Sequence, residues 1–231
     1  MGIDYDRIAR DYDRHRGGGG PYLDTLLALL GRGTGNRVLE LGAGTGNNTR
    51  ALLEAIPCRL TALEPSRGML EQASAKGIRA AWVRGRVLHY IPDLSALFQE
   101  CARVLRPGAH AAFVTASHDY ITGHPMNRYF PSYARIDLDR FQAVETIQAA
   151  LRKSGFDETG ARTACAPPRP IDSTYLASVE GKYISTFELI PEEEYQAGLR
   201  RLRAEIGAKG CLDEFIAWQS VTVWGRRCDS A

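Results

Sequence analysis

The chain has 231 residues, 44% of them hydrophobic and 24% charged, which excludes a disordered protein and supplies enough apolar residues for a substantial core. Twenty-nine Lys and Arg against twenty-seven Asp and Glu leave a formal charge of +2, and so near a balance argues against a nucleic-acid or anionic-membrane binder. The five cysteines are widely spaced and form no CxxC pair, so neither a disulfide framework nor a metal site is expected. Met1-Gly2-Ile3-Asp4-Tyr5-Asp6 has neither the basic start nor the apolar run of a signal peptide, and Asp6 stands where myristoylation wants Ser or Thr. The longest apolar run, Leu26–Leu30, is too short to span a bilayer, and a cytoplasmic protein, monomeric or homodimeric, is expected.

Tyr5, Ile8, Ala9 and Tyr12 fall at helical spacing and predict a short first helix, ended by Gly17–Gly20. Pro21 opens a second helix to about Gly31. This hinged segment, residues 1–31, reads either as a lid or as a frayed terminus. Arg37–Leu41 is a short apolar strand, Gly42–Gly46 a glycine turn, and Asn47–Ile56 a helix. Arg59–Leu63 is a second strand closed by Glu64-Pro65-Ser66, Arg67–Ala75 a helix, and Ile78–Val83 a third strand. This β-α-β-α-β order opens a doubly wound, mostly parallel sheet. A helix begins after Asp93 and stops at Arg106-Pro107-Gly108, and Ala111–Ala116 is a further strand. Asp119–Asp139 reads as a long aromatic loop. A helix follows around Val144–Leu151, then strands near Glu158–Cys165 and Phe215–Trp224, with cap helices between them near Asp172–Ile184 and Pro191–Lys209. One domain is expected, with a cofactor-binding half over 37–117 and acceptor-side loops, cap helices and final strands over 118–231.

The sharpest motif is Glu40-Leu41-Gly42-Ala43-Gly44-Thr45-Gly46. Glycines let the backbone turn tightly and approach a ligand, and N–H groups at the following helix start favour a polar or anionic group. Alone, such a turn is equally a structural βα connection. Its context adds weight, because Glu64 ends the next strand, where an acid typically holds both hydroxyls of a ribose. The spacing differs from the Gly-x-Gly-x-x-Gly of dinucleotide folds, and the carboxylate of Glu40 would repel a pyrophosphate but suit an ammonium group.

On these residues the chain resembles the class I S-adenosylmethionine-dependent methyltransferases, in their broad, UbiE-like small-molecule branch. The matching stretches are Val38–Gly46, Ala62-Leu63-Glu64-Pro65-Ser66 with Met69-Leu70, Leu88–Asp93, Ala102–Gly108 and the lead-in Ile8-Ala9-Arg10-Asp11-Tyr12-Asp13. The resemblance covers roughly residues 5–117. It implies a Rossmann-like methyltransferase fold and S-adenosylmethionine as cofactor. Glu40, Gly42, Ala43, Gly44 and Gly46 would face its methionine part, Glu64 its ribose, and Pro65, Ser66 and Met69 its adenine, with Asn47 and Leu88 also binding the cofactor. Tyr12 and Arg16 would close over its carboxylate end. His89 would lie near the methyl group, where some relatives use a base.

One stretch departs from the family. Seven residues, Gly85–Ile91, cannot supply a crossover helix, a fourth strand and a loop together, since a parallel crossover needs a dozen residues or more. Roughly twenty family-typical residues are absent. A segment missing between Gly85 and Arg86, a deletion, and a natural loss with Arg86–Ile91 serving as the strand all stay open. The missing segment is the expectation, because loss of a central strand would open the sheet beside the first strand.

A methyl acceptor needs alignment and, where its proton has a high pKa, a base. His89 and His118 are the candidates, against the alternative of solvent-facing or capping histidines. Tyr120, Tyr129, Phe130, Tyr133, Tyr175 and Tyr183 are expected to wall a pocket for a small flat or lipophilic acceptor, or else to form cap core. Arg128, Arg135 and Arg140 would hold a carboxylate or simply be solvated. Two other classes remain: a non-catalytic module binding S-adenosylmethionine or S-adenosylhomocysteine, and an NAD(P)-dependent oxidoreductase, which the glycine spacing and Glu40 disfavour.

Overall fold

The structure is a computed structural model that describes residues 3–15, 20–31, 36–84 and 93–229. The chain forms two compact units. One is built from Asp4–Thr115, Ala143–Ala164 and Ser220–Ala231, and the other mainly from Ala116–Gln142 and Cys165–Gln219.

The first unit begins with two single-turn helices, α1 (Tyr5–Ile8) and α2 (Tyr12–His15), where one short helix is predicted. Helix α3 (Leu23–Leu30) ends at Gly31, whose φ of 68° gives the left-handed stop that glycine tolerates. Strand β1 (Asn36–Leu41), helix α4 (Asn47–Ala55), strand β2 (Cys58–Glu64), helix α5 (Arg67–Ala75) and strand β3 (Ala81–Arg84) follow as the β-α-β-α-β order predicts. The three strands form a sheet in the order β1-β2-β3, both pairings parallel, with Glu40 opposite Ala62 and Leu63 opposite Val83. Leu52, Leu60, Ala62 and Ala43 make its core, and Leu23, Leu26, Leu27 and Leu30 of α3 pack against them. The four leucines recur at helical spacing, so one stripe of α3 covers the sheet.

Helix α6 (Leu94–Val104) starts at Asp93, whose carboxylate accepts from the amides of Ser95 and Ala96. It is followed by β4 (His110–Thr115), α7 (His118–Thr122), α8 (Tyr133–Arg140), α9 (Val144–Lys153) and β5 (Phe156–Cys165). After them come β6 (Arg169–Asp172), α10 (Ser173–Glu180), α11 (Ser185–Leu189), α12 (Glu192–Lys209), β7 (Cys211–Ile216) and β8 (Gln219–Arg227). Strands β4, β8 and β5 form a second sheet in the order β4-β8-β5, with β4 and β8 antiparallel. Phe98, Phe113, Leu151, Phe156 and Val223 fill the core between that sheet and the faces of α6 and α9. Among the described residues the strands of this unit therefore lie in two three-stranded sheets. Gly85–Pro92, with the Gly85–Arg86 junction, lies outside the described residues.

The second unit corrects the expected aromatic loop. Residues 118–140 contain α7, a 3-10 turn over Pro125–Arg128, and α8. Ser117 and His124 cap the first two, accepting from the amides of Tyr120 and Met126. Met126, Tyr129, Phe130 and Tyr133 are inward and join Phe187, Tyr195, Leu199 and Leu202 in one core. Aromatic spacing without heptad regularity hid these short helices, whose ordering comes from burial. The two-stranded antiparallel sheet of β6 and β7 closes on the same core through Ile171, Leu212 and Ile216.

A Cβ added at Gly198 in α12 would lie 2.4 Å from the Phe130 ring and 2.7 Å from the Tyr129 carbonyl. Backbone cannot swing away as a side chain can. Gly198→Val is therefore expected to destabilise the protein by about 1–3 kcal/mol or more, measured as a lowered denaturation midpoint. An unchanged midpoint would show that α12 slides freely past Phe130.

Candidate functional site

The first unit's site is the end of β1 and β2. The chain leaves β1 through Gly42, Gly44 and Gly46, with φ of 82°, 54° and 80°. These left-handed values are open to glycine and strained for L side chains. The amides of Gly42 and Ala43 donate to the Leu63 carbonyl at 2.8 and 3.2 Å. Glu64, 5% exposed, spans two turns: its Oε2 accepts from the Gly44 amide and its Oε1 from the Ser66 amide, both at 2.9 Å. Ser66 then caps α5, its hydroxyl accepting from the Met69 amide at 3.1 Å.

Space differs sharply along the turn. A Cβ at Gly44 would meet nothing within 4 Å, whereas one at Gly46 would come 2.7 Å from Ile78 Cδ1 and 2.8 Å from the Trp82 ring. Gly44 therefore faces open room, and Gly46 is where the turn packs on the unit's own core.

Glu40 sits at the same end of β1 and accepts from the Thr49 hydroxyl at 2.6 Å. Burial pushes its carboxyl above the usual range, against the Thr49 bond, and the charge of Glu64 adds to the rise. Glu64 is likewise raised, chiefly by burial, with its two amide donors opposing and Asp6 adding repulsion. Two partly desolvated carboxylates thus flank a glycine turn with open space over Gly44.

The N-terminal helices lie against this site. The Asp6 carboxylate accepts from the Ser66 hydroxyl at 2.6 Å and the Gly68 amide at 2.8 Å. The Asp13 carboxylate accepts from the Thr45 hydroxyl at 2.5 Å and the Asn47 side-chain amide at 2.9 Å, and pairs with Lys76 at 2.6 Å. Lys76 also donates to the Thr45 carbonyl and the Asn47 side chain, both at 2.7 Å. Sequence reasoning missed Asp6, Asp13, Thr45 and Lys76. The lead-in Asp11-Tyr12-Asp13 was a signal for Asp13, but nothing near Lys76 pointed to it. The expected residues Tyr12, Glu40, Gly42, Ala43, Gly44, Gly46, Asn47, Glu64, Pro65, Ser66 and Met69 all belong to this unit. Arg16, Leu88 and His89 lie outside the described residues.

In the second unit the His118 Nε2–H donates to the Phe141 carbonyl at 2.8 Å. Tyr129 and Phe130 are fully inside the core, and the Tyr129 hydroxyl donates to Glu205 at 2.7 Å. Tyr183 shares a 3.0 Å hydroxyl–hydroxyl bond with Tyr175. Tyr120, partly exposed, has its phenol pushed up to about 12 by burial and by the neighbouring Tyr183. Arg128 pairs with Glu205 and Arg140 with Asp137, while Arg135 is exposed.

His124, 4% exposed, stacks on Tyr133 with ring centroids 4.7 Å apart and meets Tyr120 edge-on. Its Nδ1 accepts from the Met126 amide, so the ring is held neutral, and burial lowers its pKa to about 4.

The family described as a methyltransferase domain matches residues 12–159. A 27-O-demethylrifamycin SV methyltransferase of Amycolatopsis mediterranei (strain S699) is 23% identical over 216 residues, covering 78% of this chain and 76% of that protein. Among solved structures, a putative methyltransferase from an antibiotic biosynthesis pathway of Anabaena variabilis ATCC 29413 superposes with a TM-score of 0.64. It is 20% identical, with 87% of this chain and 95% of that chain covered. A putative sarcosine dimethylglycine methyltransferase from Galdieria sulphuraria gives a TM-score of 0.55 at 17% identity, covering 99% and 100% of the two chains. The fold is therefore the Rossmann-like methyltransferase fold. The chain belongs to the methyltransferase-domain family and is a class I S-adenosylmethionine-dependent methyltransferase.

Two predictions follow from this geometry. Gly46→Ala, which meets side chains as well as left-handed strain, is expected to lower stability more than Gly44→Ala, which carries only the strain of about 1–2 kcal/mol. Equal losses in a denaturant titration would mean that the turn packs differently. His124 binds a proton less readily in the native state than when unfolded, so its contribution is complete above about pH 6.5 and fades as pH falls toward about 4. That is a loss of about 2–4 kcal/mol. His124→Asn should flatten this part of the stability–pH curve, and an unchanged slope would assign the acid sensitivity to other groups.

Proposed function

We propose that the protein transfers a methyl group to a small-molecule acceptor, with its cofactor held over Gly44 between Glu40 and Glu64. The observation that carries this reading is the pair of desolvated carboxylates beside the open glycine turn. Two neighbouring, partly desolvated carboxylates favour a ligand bearing positive charge and disfavour the pyrophosphate of a dinucleotide. Each Glu64 oxygen accepts one amide and keeps lone-pair capacity for a ribose hydroxyl. Glu40, Gly42, Ala43 and Asn47 would hold the aminocarboxylpropyl part, and Pro65, Ser66 and Met69 the adenine side.

S-adenosylmethionine, when bound, supplies a sulfonium-activated methyl group. The protein's own task is then to hold the acceptor in line and to exclude water, an effect of position more than of acid–base chemistry. We assign residues 1–31 as a lid in which Tyr12 and Arg16 close the carboxylate end, and Leu88 and His89 to the adenine and methyl sides. Residues 118–231 contribute the acceptor side, with His118, Tyr120, Tyr129, Phe130 and Tyr183 as its polar and aromatic groups. Tyr129 and Phe130 act there by shaping the wall from within the core. The relative named a 27-O-demethylrifamycin SV methyltransferase acts, by its name, at an oxygen, which supports a hydroxyl acceptor.

Glu64→Ala is expected to weaken S-adenosylhomocysteine binding by roughly 1–3 kcal/mol in calorimetry, the scale of lost hydrogen bonds to a charged acceptor. Unchanged affinity would remove Glu64 from the site. Release of S-adenosylhomocysteine across a panel of hydroxylated and aminated small molecules tests turnover, and tight binding without turnover on any of them would favour a binding module.

A further inference from the structure

Arg84 is the last residue of β3 and stands opposite Glu64, the last residue of β2, in the parallel pairing of the two strands. Both residues therefore end their strands at the same carboxyl edge, where open α/β sheets bind ligands. The Arg84 Nε–H donates to the Pro65 carbonyl at 3.1 Å. That bond sets the guanidinium beside the Pro65-Ser66 turn that opens α5. Asp6, which accepts from the Ser66 hydroxyl and the Gly68 amide, is a nearby anion. Those hydrogen bonds lower its carboxyl, and the charge of Arg84 adds to the fall.

The cations of α5 and its C-terminal cap are committed to the protein itself: Arg67 pairs with Glu71 at 2.8 Å, and Lys76 with Asp13 at 2.6 Å. Arg84 differs. It is exposed, and among the described residues no acceptor engages its terminal nitrogens. A guanidinium donates through a rigid planar fork and has no acceptor of its own. Held at Nε, this fork keeps its outer edge for a ligand that presents paired acceptors.

We propose that Arg84 reads the base of the cofactor, donating from its terminal nitrogens to acceptor atoms on the purine edge, so that the site accommodates a 6-oxo purine in place of adenine. The inference rests on the assignment of Pro65, Ser66 and Met69 to the adenine side. A carboxylate at this place would call for the 6-amino group as a donor. A guanidinium calls for acceptors. Adenine offers N7 beside an amino group that the fork cannot meet, whereas hypoxanthine offers O6 and N7 together. Arg84 is thus a specificity-determining residue for the base.

Calorimetry with S-adenosylhomocysteine and its 6-oxo analogue, S-inosylhomocysteine, tests this on the wild type, Arg84→Met and Arg84→Lys. The wild type should bind the 6-oxo analogue within roughly threefold of S-adenosylhomocysteine or more tightly. In Arg84→Met the ratio of the two affinities should move toward the adenosyl ligand by roughly tenfold, the discrimination of one bidentate base contact. Arg84→Lys, a point charge without the fork, should move the ratio in the same direction. A purely structural role for the Pro65 contact would weaken both ligands alike and leave the ratio where it was. An arginine that only lends positive charge would be rescued by lysine. Either result, or a wild-type preference for the adenosyl ligand beyond roughly threefold, would overturn the proposal. Failure of the wild type to bind S-adenosylhomocysteine, or binding that Glu64→Ala leaves unchanged, would instead refute the cofactor assignment on which the inference stands.

Discussion

The hydrogen bonds of Glu64 to the amides of Gly44 and Ser66 are the constraint on which the site depends. One carboxylate ties the turn after β1 to the turn after β2, fixing where two helix starts point. Without it, the middle of the glycine turn at Gly44 would lose its tie to the end of β2, and a Gly-rich backbone has many conformations to lose. Parallel pairing of β1 with β2 brings Glu64 and Gly44 to the same end of the sheet, so the arrangement is a consequence of topology. In open α/β sheets this carboxyl edge is where ligands bind.

The same arrangement sets the electrostatic character of the site. Burial raises Glu40 and Glu64, the charge of Glu64 adding at Glu40 and that of Asp6 at Glu64, whereas the hydrogen bonds and, at Asp13, the Lys76 ammonium leave Asp6 and Asp13 lowered. The first pair has unmet demand for positive charge, and the second is already satisfied by the protein. This difference separates groups available to a ligand from groups engaged in holding the N-terminal helices. Of the two, only the first pair argues for the kind of ligand.

The second unit follows a different logic. Its tyrosines and phenylalanines build a core, yet several keep polar contacts inside it: Tyr175 to Tyr183, Tyr129 to Glu205, Tyr195 to the Val179 carbonyl. Buried phenols need such partners, because an unpaired hydroxyl in an apolar core costs about as much as the apolar ring gains. Aromatic residues that the sequence placed together are therefore shared between packing and the polar groups among them. Among its tyrosines Tyr120, partly exposed, has a face left outside the core, and Phe215 is exposed.

Much of the first unit is legible in the amino-acid sequence. Short apolar runs separated by glycine and amphipathic segments dictate β-α-β-α-β, and the boundaries of α4, α5 and α6 fall where Gly46, Ser66 and Asp93 place their starts. The Gly42–Gly46 turn and Glu64 could be named because their chemistry is local: positive φ and an acid at a strand end. What tertiary structure decided is everything set by contacts between residues far apart in the chain. Lys76 meets Asp13, and Asp6 meets Ser66, through the docking of helices whose own sequences carry no sign of the partner. Residues 118–140 became helices because burial ordered them. Period and capping are written along the chain, whereas a long-range ion pair or a core depends on where folding brings two distant segments, and no local spacing encodes that.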